Sequence, residues 1–404
     1  MSTAYPGYLN PEINFSLRAS HPDFSDLPWR FPLAQWGDIC PRLEEVPHGL
    51  TRHTVVFVNY DGILYALKEM PLSLAEKEYG NLVQIEALRI PAVTPVGVVS
   101  IHNPQDQIGV LITRYLDHSI PYRSLFMSGS LVRYREHLLD AISGLLVQLH
   151  LGGICWGDCS LSNTLFRRDA GALQAYLVDA ETATIYPQRT PASMRHQDLD
   201  IMEENVDGDI VDLATAHLLS AGIPTRDTGA YIRLRYQGLW DEITQEQIIP
   251  PGESYRIQER IRALNNLGFS VGDMEMLNTE RGDQLRLRLV VTDRNFHRDQ
   301  LFDLTGLEAE ERQARQMMNE IQELRATLSQ AHNRSTPLSV AAYQWLLEVY
   351  QPTIQRLTPL IKKDMNLAEL YCQVLEHKWF LSEKAQHDVG HTLAIEDYLQ
   401  KYSQ

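Results

Sequence analysis

The sequence is poor in cysteine, and the few cysteines it has form neither a metal-ligand pattern nor a disulfide framework. Its 404 residues include four cysteines. Cys155 and Cys159 are four positions apart without a second ligand pair, so a structural zinc site is not expected. Free thiols persist in reducing compartments. The sequence therefore predicts buried free thiols at Cys40, Cys155, Cys159 and Cys372.

A long apolar run is also missing. No segment approaches the roughly 18 apolar residues that a membrane-spanning helix requires. The N-terminal stretch Met1–Pro6 has no basic region followed by an apolar one, which a secretory leader would have. We therefore expect a cytoplasmic protein without a membrane span.

The chain lacks an excess of positive charge. Its 36 Lys and Arg residues against 52 Asp and Glu residues give a formal net charge of -16. Nucleic acids and anionic lipid surfaces are bound chiefly through clustered Lys and Arg, so neither partner is expected without a local basic patch. A hydrophobic content of 44% with 22% charged residues predicts a globular chain with room for two or three domains.

Proline and large aromatic residues are abundant at the start of the chain. Prolines keep the backbone extended, and large aromatic side chains are rarely left in water. Residues 1–41 are therefore predicted to form an arm packed over a neighbouring surface, either as a structural clamp or as part of substrate recognition. The aromatic residues of this arm include Phe15, Phe24, Trp29, Phe31 and Trp36.

The next segment has the pattern of short strands followed by a helix. Thr54–Val58 and Ile63–Lys68 flank a turn that contains Asp61-Gly62, a pair typical of hairpins. The second strand ends in a lysine. Apolar residues at spacings of three and four predict a helix over Ser73–Leu88, and Ile108–Thr113 again has strand character.

A long amphipathic helix is predicted over Leu131–Leu151, because leucine and isoleucine recur on one face. The helix ends at Gly152-Gly153, which suits a left-handed C-cap. The chain then enters Trp156-Gly157-Asp158. The predicted helix therefore holds an aspartate on the loop that follows it.

A second hairpin is predicted directly after this loop. Its strands are Thr164–Arg167 and Ala175–Val178, with Asn163 at the start and Asp179 at the end. Carboxylate and amide oxygens are the hard ligands that Mg²⁺ prefers, and a carboxylate can accept a proton. The predicted loop and hairpin therefore carry two carboxylates and one side-chain amide, at Asp158, Asp179 and Asn163.

Together these motifs resemble those of protein kinases. Tyr65–Lys68 resembles the strand motif that ends in the phosphate-binding lysine, and Glu78 lies where its helix partner belongs. Asp158, Asn163 and Asp179 match the catalytic and metal-binding motifs. Tryptophan and glycine before the first aspartate are more similar to atypical bacterial kinase-like proteins of the RIO and lipopolysaccharide-kinase type. The long C-terminal extension further resembles a bacterial family described only as a domain of unknown function with lipopolysaccharide-kinase-like character.

The resemblance covers about residues 42–250. It implies an α+β fold, a bilobal protein-kinase-like fold with a mostly α-helical C-terminal domain. The implied organisation is an N-terminal arm (1–41), a kinase-like N-lobe (42–118), a kinase-like C-lobe (119–250) and a C-terminal α/β then helical domain of unknown role (251–404).

The resemblance also implies a function and its cofactors, ATP and Mg²⁺. The implied activity is transfer of a phosphoryl group to a hydroxyl of a protein, sugar or lipid-linked acceptor. The implied roles are phosphate binding for Lys68 held by Glu78, adenine contact for Ala66 and Leu165, Mg²⁺ binding for Asn163 and Asp179, and proton acceptance for Asp158, with Lys68 also counted as catalytic.

Two departures from the kinase pattern keep other functions open. The turn Pro47–Leu50 has a single glycine and so no glycine-rich loop, and Ala180-Glu181 replaces Phe-Gly after the second aspartate. A nucleotide-binding pseudokinase scaffold is therefore one alternative. Transfer of the nucleotidyl group (AMPylation) from the same site is another.

Beyond Pro250 the kinase pattern ends. Leu285–Val291 alternates leucine with arginine, which predicts a strand with one basic face that either binds an anionic partner or is an ordinary solvated edge. Several helices follow. They are predicted over Glu308–His332, Leu338–Tyr350, Leu367–His377 and Glu383–Lys401, and the basic residues near the strand are Arg281, Arg286, Arg288, Arg294, His297 and Arg298.

Overall fold

The computed structural model divides the chain into two compact units. The first comprises Met1–Phe166 with Ala175–Gln237, and the second comprises Arg167–Gln174 with Gly238–Gln404. The structure describes residues 11–46, 52–102, 107–127, 135–218, 227–245, 247–249, 255–278, 285–332, 334–362 and 365–402.

A six-stranded antiparallel sheet forms the first half of unit one, in the order β1-β5-β6-β4-β3-β2. Helix α1 packs against β5 and β6 through Ala75, Leu82 and Ile85, all fully buried. The elements are β1 (Glu12–Leu17), β2 (Leu43–Glu44), β3 (Thr54–Tyr60), β4 (Ile63–Pro71), α1 (Leu72–Ala87), β5 (Thr94–His102) and β6 (Gln107–Arg114).

The N-terminal segment is built into this sheet. Strand β1 pairs with β5 as an edge strand, and Phe24, Trp29 and Trp36 are buried in the core of the sheet. The indole nitrogen of Trp29 donates to the carbonyl oxygen of Phe24 at 2.7 Å. The described part of the predicted arm therefore contributes a strand and a set of core aromatics.

The predicted hairpin is present as β3 and β4. Asp61 and Gly62 both have positive φ, 54° and 87°, which is the conformation that a tight two-residue turn between twisted strands requires. The resulting register places Ala66 opposite Phe57 on one side and Thr113 on the other.

The second half of unit one is mainly helical. Helix α3 ends at a glycine turn in which Gly153 has a φ of 79°, and a Cβ there would lie 2.1 Å from the carbonyl oxygen of Gln188. The predicted start of this helix at Leu131 lies outside the described residues. The elements are β7 (Ile120–Pro121), α2 (Tyr122–Met127), α3 (Arg135–Leu151), β8 (Ile154–Cys155), β9 (Thr164–Asp169), β10 (Ala172–Leu177), β11 (Thr184–Ile185), α4 (Ala192–Thr215) and α5 (Thr228–Thr244).

Unit two combines a three-stranded antiparallel sheet, in the order β12-β14-β13, with a helical core. Met317, Ile321, Trp345 and Tyr371 lie at the centre of that core. The elements are β12 (Gln247–Ile249), α6 (Tyr255–Asn266), β13 (Ser270–Asn278), β14 (Leu285–Asp293), α7 (Phe296–Thr305), α8 (Glu311–Ala331), α9 (Leu338–Trp345) followed by a π-helical turn (Leu346–Tyr350), α10 (Gln351–Arg356), α11 (Leu367–Ala385) and α12 (Gly390–Tyr402).

Two C-terminal expectations need correction. The helix predicted over Glu383–Lys401 is divided, because Gln386 has a φ of 56° and ends α11. In the predicted basic patch, Arg294 donates to the carbonyl oxygen of Leu267, and His297 pairs with Glu311. These two side chains are therefore engaged within unit two. Arg281 and the side chains of Arg286 and Arg288 lie outside the described residues.

The expected α+β fold class, with a sheet-rich first lobe and a mostly helical C-terminal part, is confirmed. All four cysteines are free and buried. Within the described ranges, no helix is both long and apolar enough to cross a membrane.

Candidate active site

A cavity of about 890 Å³ lies within unit one. One wall comes from β3 and β4, and the opposite wall comes from the loop before β9 and the segment after β10. All but one of the predicted site residues line it: Ala66, Lys68, Asp158, Asn163, Leu165 and Asp179.

The Lys68 ammonium is surrounded by carboxylates from distant parts of the chain. Its Nζ donates to Glu78 Oε2 at 2.9 Å and to Asp179 Oδ2 at 2.6 Å, and Glu181 Oε2 lies 3.5 Å away. Burial alone would lower the pKa of Lys68, but the charges of Glu78 and Asp179 outweigh it and raise the pKa. Lys68 is therefore held in its charged form.

Glu78 lies behind Lys68 and is 1% exposed, which is why it does not line the cavity. Burial, followed by the charge of Asp179, raises its pKa to about 7, although Lys68 opposes this shift. Its second oxygen accepts the backbone N–H of Ala180 at 3.3 Å. Glu78 therefore ties α1 to both the lysine and the segment after Asp179.

Asn81, one turn further along α1, strengthens this connection. Its Nδ2 donates to the carbonyl oxygens of Ala180 and Ala183 at 2.8 and 3.0 Å. Asn81 was not predicted from the sequence. The signal was a polar residue on the face that Leu82 and Ile85 bury, and in the structure Asn81 is 8% exposed.

Asp158 is held by two amide side chains. Asn163 Nδ2 donates to Asp158 Oδ2 at 3.1 Å and to its carbonyl oxygen at 3.0 Å. Asn205 Nδ2, from α4, donates to Asp158 Oδ1 at 2.9 Å. Both oxygens of this carboxylate therefore have an N–H donor, which fixes its orientation at the cavity wall.

The loop that carries Asp158 is fixed by a buried aspartate of α4. Asp198 is fully buried and accepts the backbone N–H groups of Trp156 at 2.8 Å and Gly157 at 2.7 Å. It also contacts His150 Nε2 at 3.0 Å. Burial would raise the pKa of Asp198, but the hydrogen bond with His150 and the two backbone N–H groups lower it.

A second aspartate of α4 holds the next part of the same loop. Asp209 Oδ2 accepts the backbone N–H groups of Leu161 and Ser162 at 2.9 and 3.1 Å. From the sequence, Asp209 was interpreted as part of a solvated helix face or of an acidic rim near the metal site, and Asp198 was not assigned a role. A signal existed for Asp198, since it lies on the face of α4 that Met202 and Val206 bury.

Apolar side chains also line the cavity. They include Ala66 on β4 and Leu165 on β9, to which the resemblance to kinases assigns adenine contact. Val55 and Val93 add further apolar surface. The cavity is therefore lined both by apolar side chains and by the charged groups around Lys68.

The oxygen atoms around Lys68 fit a hard cation. Carboxylate oxygens of Glu78, Asp179 and Glu181 lie within 4.8 Å of one another. Asn163 donates to Asp158 through its side-chain Nδ2, which leaves its side-chain Oδ1 as the atom available to a metal. Carboxylate and amide oxygens suit Mg²⁺, and no softer sulfur or imidazole ligand is needed.

Unit one has a protein-kinase-like fold, and its Lys68 is paired with Glu78. Residues 63–232 match the lipopolysaccharide kinase (Kdo/WaaP) family, and residues 238–403 match a domain of unknown function, DUF4032. The two halves of the chain therefore match the lipopolysaccharide kinase (Kdo/WaaP) family model and the DUF4032 model in succession, which confirms the resemblance read from its motifs.

A solved structure and the curated proteins complete the comparison. The chain resembles a structure of WaaP in complex with acyl carrier protein, with 15% sequence identity and a TM-score of 0.38, over 63% of this chain and 98% of that chain. None of the curated proteins matches the sequence.

Proposed function

We propose that unit one is an ATP- and Mg²⁺-dependent phosphotransferase that acts on a hydroxyl group. The observation that carries this proposal is that one cavity is lined both by Lys68 with Asp179 and by Asp158 with Asn163. Phosphoryl transfer needs charge neutralisation of the phosphates and a positioned acceptor more than covalent chemistry. The two pairs of residues offer these two functions.

The Lys68 side supplies the phosphate-binding charge. Glu78 holds the ammonium in place from a buried position, since its side chain is 1% exposed and bonded to Lys68 at 2.9 Å. Ala66 and Leu165 offer the apolar surface that an adenine ring requires. Lys68 would then contact the phosphates while the base lies between the two apolar residues.

The Asp158 side positions the acceptor. A carboxylate within hydrogen-bond reach of the acceptor hydroxyl can accept its proton as the phosphoryl group is transferred. Asn163 and Asn205 each donate an N–H to this carboxylate, so its orientation is set before the acceptor arrives. Asp158 therefore suits the role of general base.

Asn163 and Asp179 would hold the metal. Mg²⁺ bound there would neutralise part of the phosphate charge. Asn163 and Asp179 both line the same cavity. Lys68 balances the Asp179 charge without a metal, through the contact of 2.6 Å.

The acceptor follows from the family name rather than from the cavity. Because the family name refers to lipopolysaccharide, a sugar hydroxyl of a lipid-linked glycan is the first acceptor to test. A protein hydroxyl is the second. A scaffold that binds nucleotide without turnover is the second candidate function. It is favoured by the three carboxylates that already surround Lys68.

The test uses ATP labelled either at the γ-phosphate or in the adenine, with Mg²⁺ present. Label from the γ-phosphate alone is expected in the product, because the proposal is phosphoryl transfer. Adenine label in the product would indicate nucleotidyl transfer instead. Nucleotide binding without transfer of either label would support the scaffold.

Two variants assign the roles. Asp179→Ala is expected to lose nucleotide-induced stabilisation, which is about 2.7 kcal/mol at about 100 times the dissociation constant. Asp158→Ala is expected to keep binding and lose transfer. Asp303→Ala, an exposed carboxylate on α7, is the matched control and should change neither. Wild-type transfer by Asp158→Ala would remove the general-base role.

A further inference from the structure

The Glu181 carboxylate contacts two nitrogen atoms, one from the residue before β3 and one from β4. Its Oε2 is 3.0 Å from His53 Nε2 and 3.5 Å from Lys68 Nζ. A carboxylate oxygen carries no hydrogen to donate, so His53 Nε2 is the donor in this contact. A single anionic oxygen thus occupies the place where an imidazole and an ammonium converge.

The backbone of Glu181 is fixed independently of its side chain. Its N–H donates to Asp179 Oδ1 at 3.0 Å, and its carbonyl oxygen accepts from Lys77 Nζ at 2.8 Å. The side chain is 16% exposed and lines the cavity. The carboxylate can therefore turn away while the chain around it stays in place.

Lys68 has three N–H groups and three carboxylate neighbours. An ammonium group donates at most three hydrogen bonds. Glu78 is buried and also holds the N–H of Ala180, and Asp179 is bonded at 2.6 Å. Glu181 makes the longest of the three contacts, at 3.5 Å. Moving Glu181 away would therefore make an N–H of Lys68 available to a phosphate oxygen and would disrupt the other contacts of Lys68 least.

His53 lies at a position where the resemblance to kinases places phosphate contacts. It directly precedes β3, the strand that follows the loop which in kinases is rich in glycine. Arg52 and His53 both line the cavity. Side-chain donors at this position can replace the backbone N–H groups that a glycine-rich loop would present.

We propose that phosphate oxygens of the nucleotide replace the Glu181 carboxylate between His53 and Lys68. His53 is then a phosphate-contacting residue, and Glu181 is an internal anion that competes with the nucleotide for the same two donors. This inference rests on the proposed nucleotide-binding function of unit one. The inference also predicts the sign of the effect, because the loss of the Glu181 charge should strengthen nucleotide binding.

Calorimetric titration of the full chain with ATP in the presence of Mg²⁺, ATP in its absence, and adenosine tests the inference. Glu181→Gln removes the competing charge at nearly constant size and is expected to tighten ATP binding about fivefold, at the low end of typical coupling between competing ligands. Damage to the fold would weaken binding, so a gain in affinity cannot come from misfolding.

His53→Ala is expected to weaken ATP binding about tenfold, the loss of one charge-assisted hydrogen bond. Its adenosine affinity should stay at the wild-type value. Glu76→Gln makes the same charge change at an exposed position of α1 and should leave every affinity unchanged. Melting temperatures of all variants identify any loss of folding.

The outcomes distinguish a failure of the inference about Glu181 and His53 from a failure of the proposed nucleotide-binding function. Weaker ATP binding by Glu181→Gln only when Mg²⁺ is present would make Glu181 a metal ligand and overturn the inference. Wild-type ATP affinity in both Glu181→Gln and His53→Ala would overturn it as well, while leaving the nucleotide site intact. A wild-type protein that binds neither ATP nor adenosine would instead remove the proposed function on which the inference stands.

Discussion

Two buried carboxylates have a similarly raised pKa but different partners: Glu78 in unit one, and Asp169 in the part of the β9–β10 hairpin that belongs to unit two. Glu78 is 1% exposed and Asp169 is 2% exposed. Burial is the largest cause in both, and it raises the pKa of each to about 7. A perturbed pKa alone therefore does not distinguish a functional site from a structural contact.

The partners of the two carboxylates make the distinction. Glu78 is bonded to the ammonium of Lys68, which also faces the cavity and can be shared with a ligand. Asp169 accepts the backbone N–H groups of Arg312 and Gln313, both at 2.9 Å, in the first turn of α8. Backbone donors at a helix start are fixed in place. A charged side-chain partner that lines the cavity therefore distinguishes the candidate site from the structural contact.

Lys68→Met is expected to have the largest effect, because it leaves Glu78 and Asp179 without their cation. Removal of one partner of a buried ion pair costs about 3–5 kcal/mol of unfolding free energy. The double variant Lys68→Met with Glu78→Gln should recover part of that loss, since no buried charge remains at position 78. Urea denaturation of both variants measures it.

Nucleotide binding should stay lost in the double variant. Stability and binding would then be separated at the same site, as the comparison requires. A double variant no more stable than Lys68→Met would show that Glu78 is not the source of the destabilisation.

Asp169→Asn should change how stability depends on pH. The folded-state pKa of about 7 lies above the ordinary value of 3.8, so the folded protein binds this proton more tightly than the unfolded chain. Stability from this group is therefore present at low pH and is lost as the pH rises from 3.8 to about 7. At about 1.4 kcal/mol per pKa unit, the loss approaches about 4 kcal/mol.

Asparagine keeps an oxygen acceptor for the two N–H groups of α8 but cannot ionise. The variant should match the wild type near pH 4 and be the more stable protein at pH 8, by thermal unfolding across that range. A difference between variant and wild type that does not change with pH would contradict the buried, proton-binding state of Asp169.

Asp198 combines features of both carboxylates, since it lies beside the active site yet is held largely by backbone N–H groups. Asp198→Asn is expected to cost about 2 kcal/mol, the typical contribution of hydrogen bonds to a charged group. Asp200→Asn, on the same helix, removes a solvent-exposed pair with Arg233 and should cost at most about 1 kcal/mol. Chemical denaturation compares the two, and equal losses would remove the anchoring role of Asp198.

The sequence predicted the parts of the site that depend on order along the chain. Lys68 lies on the strand that was predicted to end there and that extends to Pro71 in the structure. Asn163 and Asp179 flank a hairpin, so short-range patterns located all three residues. Contacts from α4 were not predictable, because the position of Asp198 or Asn205 relative to the loop depends on how distant elements pack.

The same distinction applies to the fold. The alternation of Ile13, Phe15 and Leu17 was a strand signal, but the surrounding prolines and aromatics favoured an arm, and nothing local identified β5 as the partner of β1. Likewise, the contact between His53 and Glu181 joins residues 128 positions apart. Local patterns fix the elements, while the pairing of elements requires the packed structure.

Asn205→Ala is expected to have the smallest effect, and it extends the comparison to a carboxylate at the cavity surface. Among the residues that the structure describes, the donors to the Asp158 carboxylate are two side-chain amides, with no cation or backbone N–H. Loss of one amide leaves the Asp158 carboxylate freer to rotate. Transfer of label from γ-labelled ATP should then slow about tenfold, a typical cost for a loosely positioned catalytic group. Affinity for ATP with Mg²⁺ should not change, because the Asn205 amide donates to Asp158 and to the carbonyl oxygen of Cys159, neither of which is a proposed nucleotide or metal ligand. Asn163→Ala removes the second amide and a proposed metal ligand together, so it should lose both transfer and the Mg²⁺-dependent part of ATP affinity. If Asn205→Ala also weakened ATP binding, the amide would support the cavity as a whole, and the separation between positioning by amides and charge compensation by Lys68 would fail.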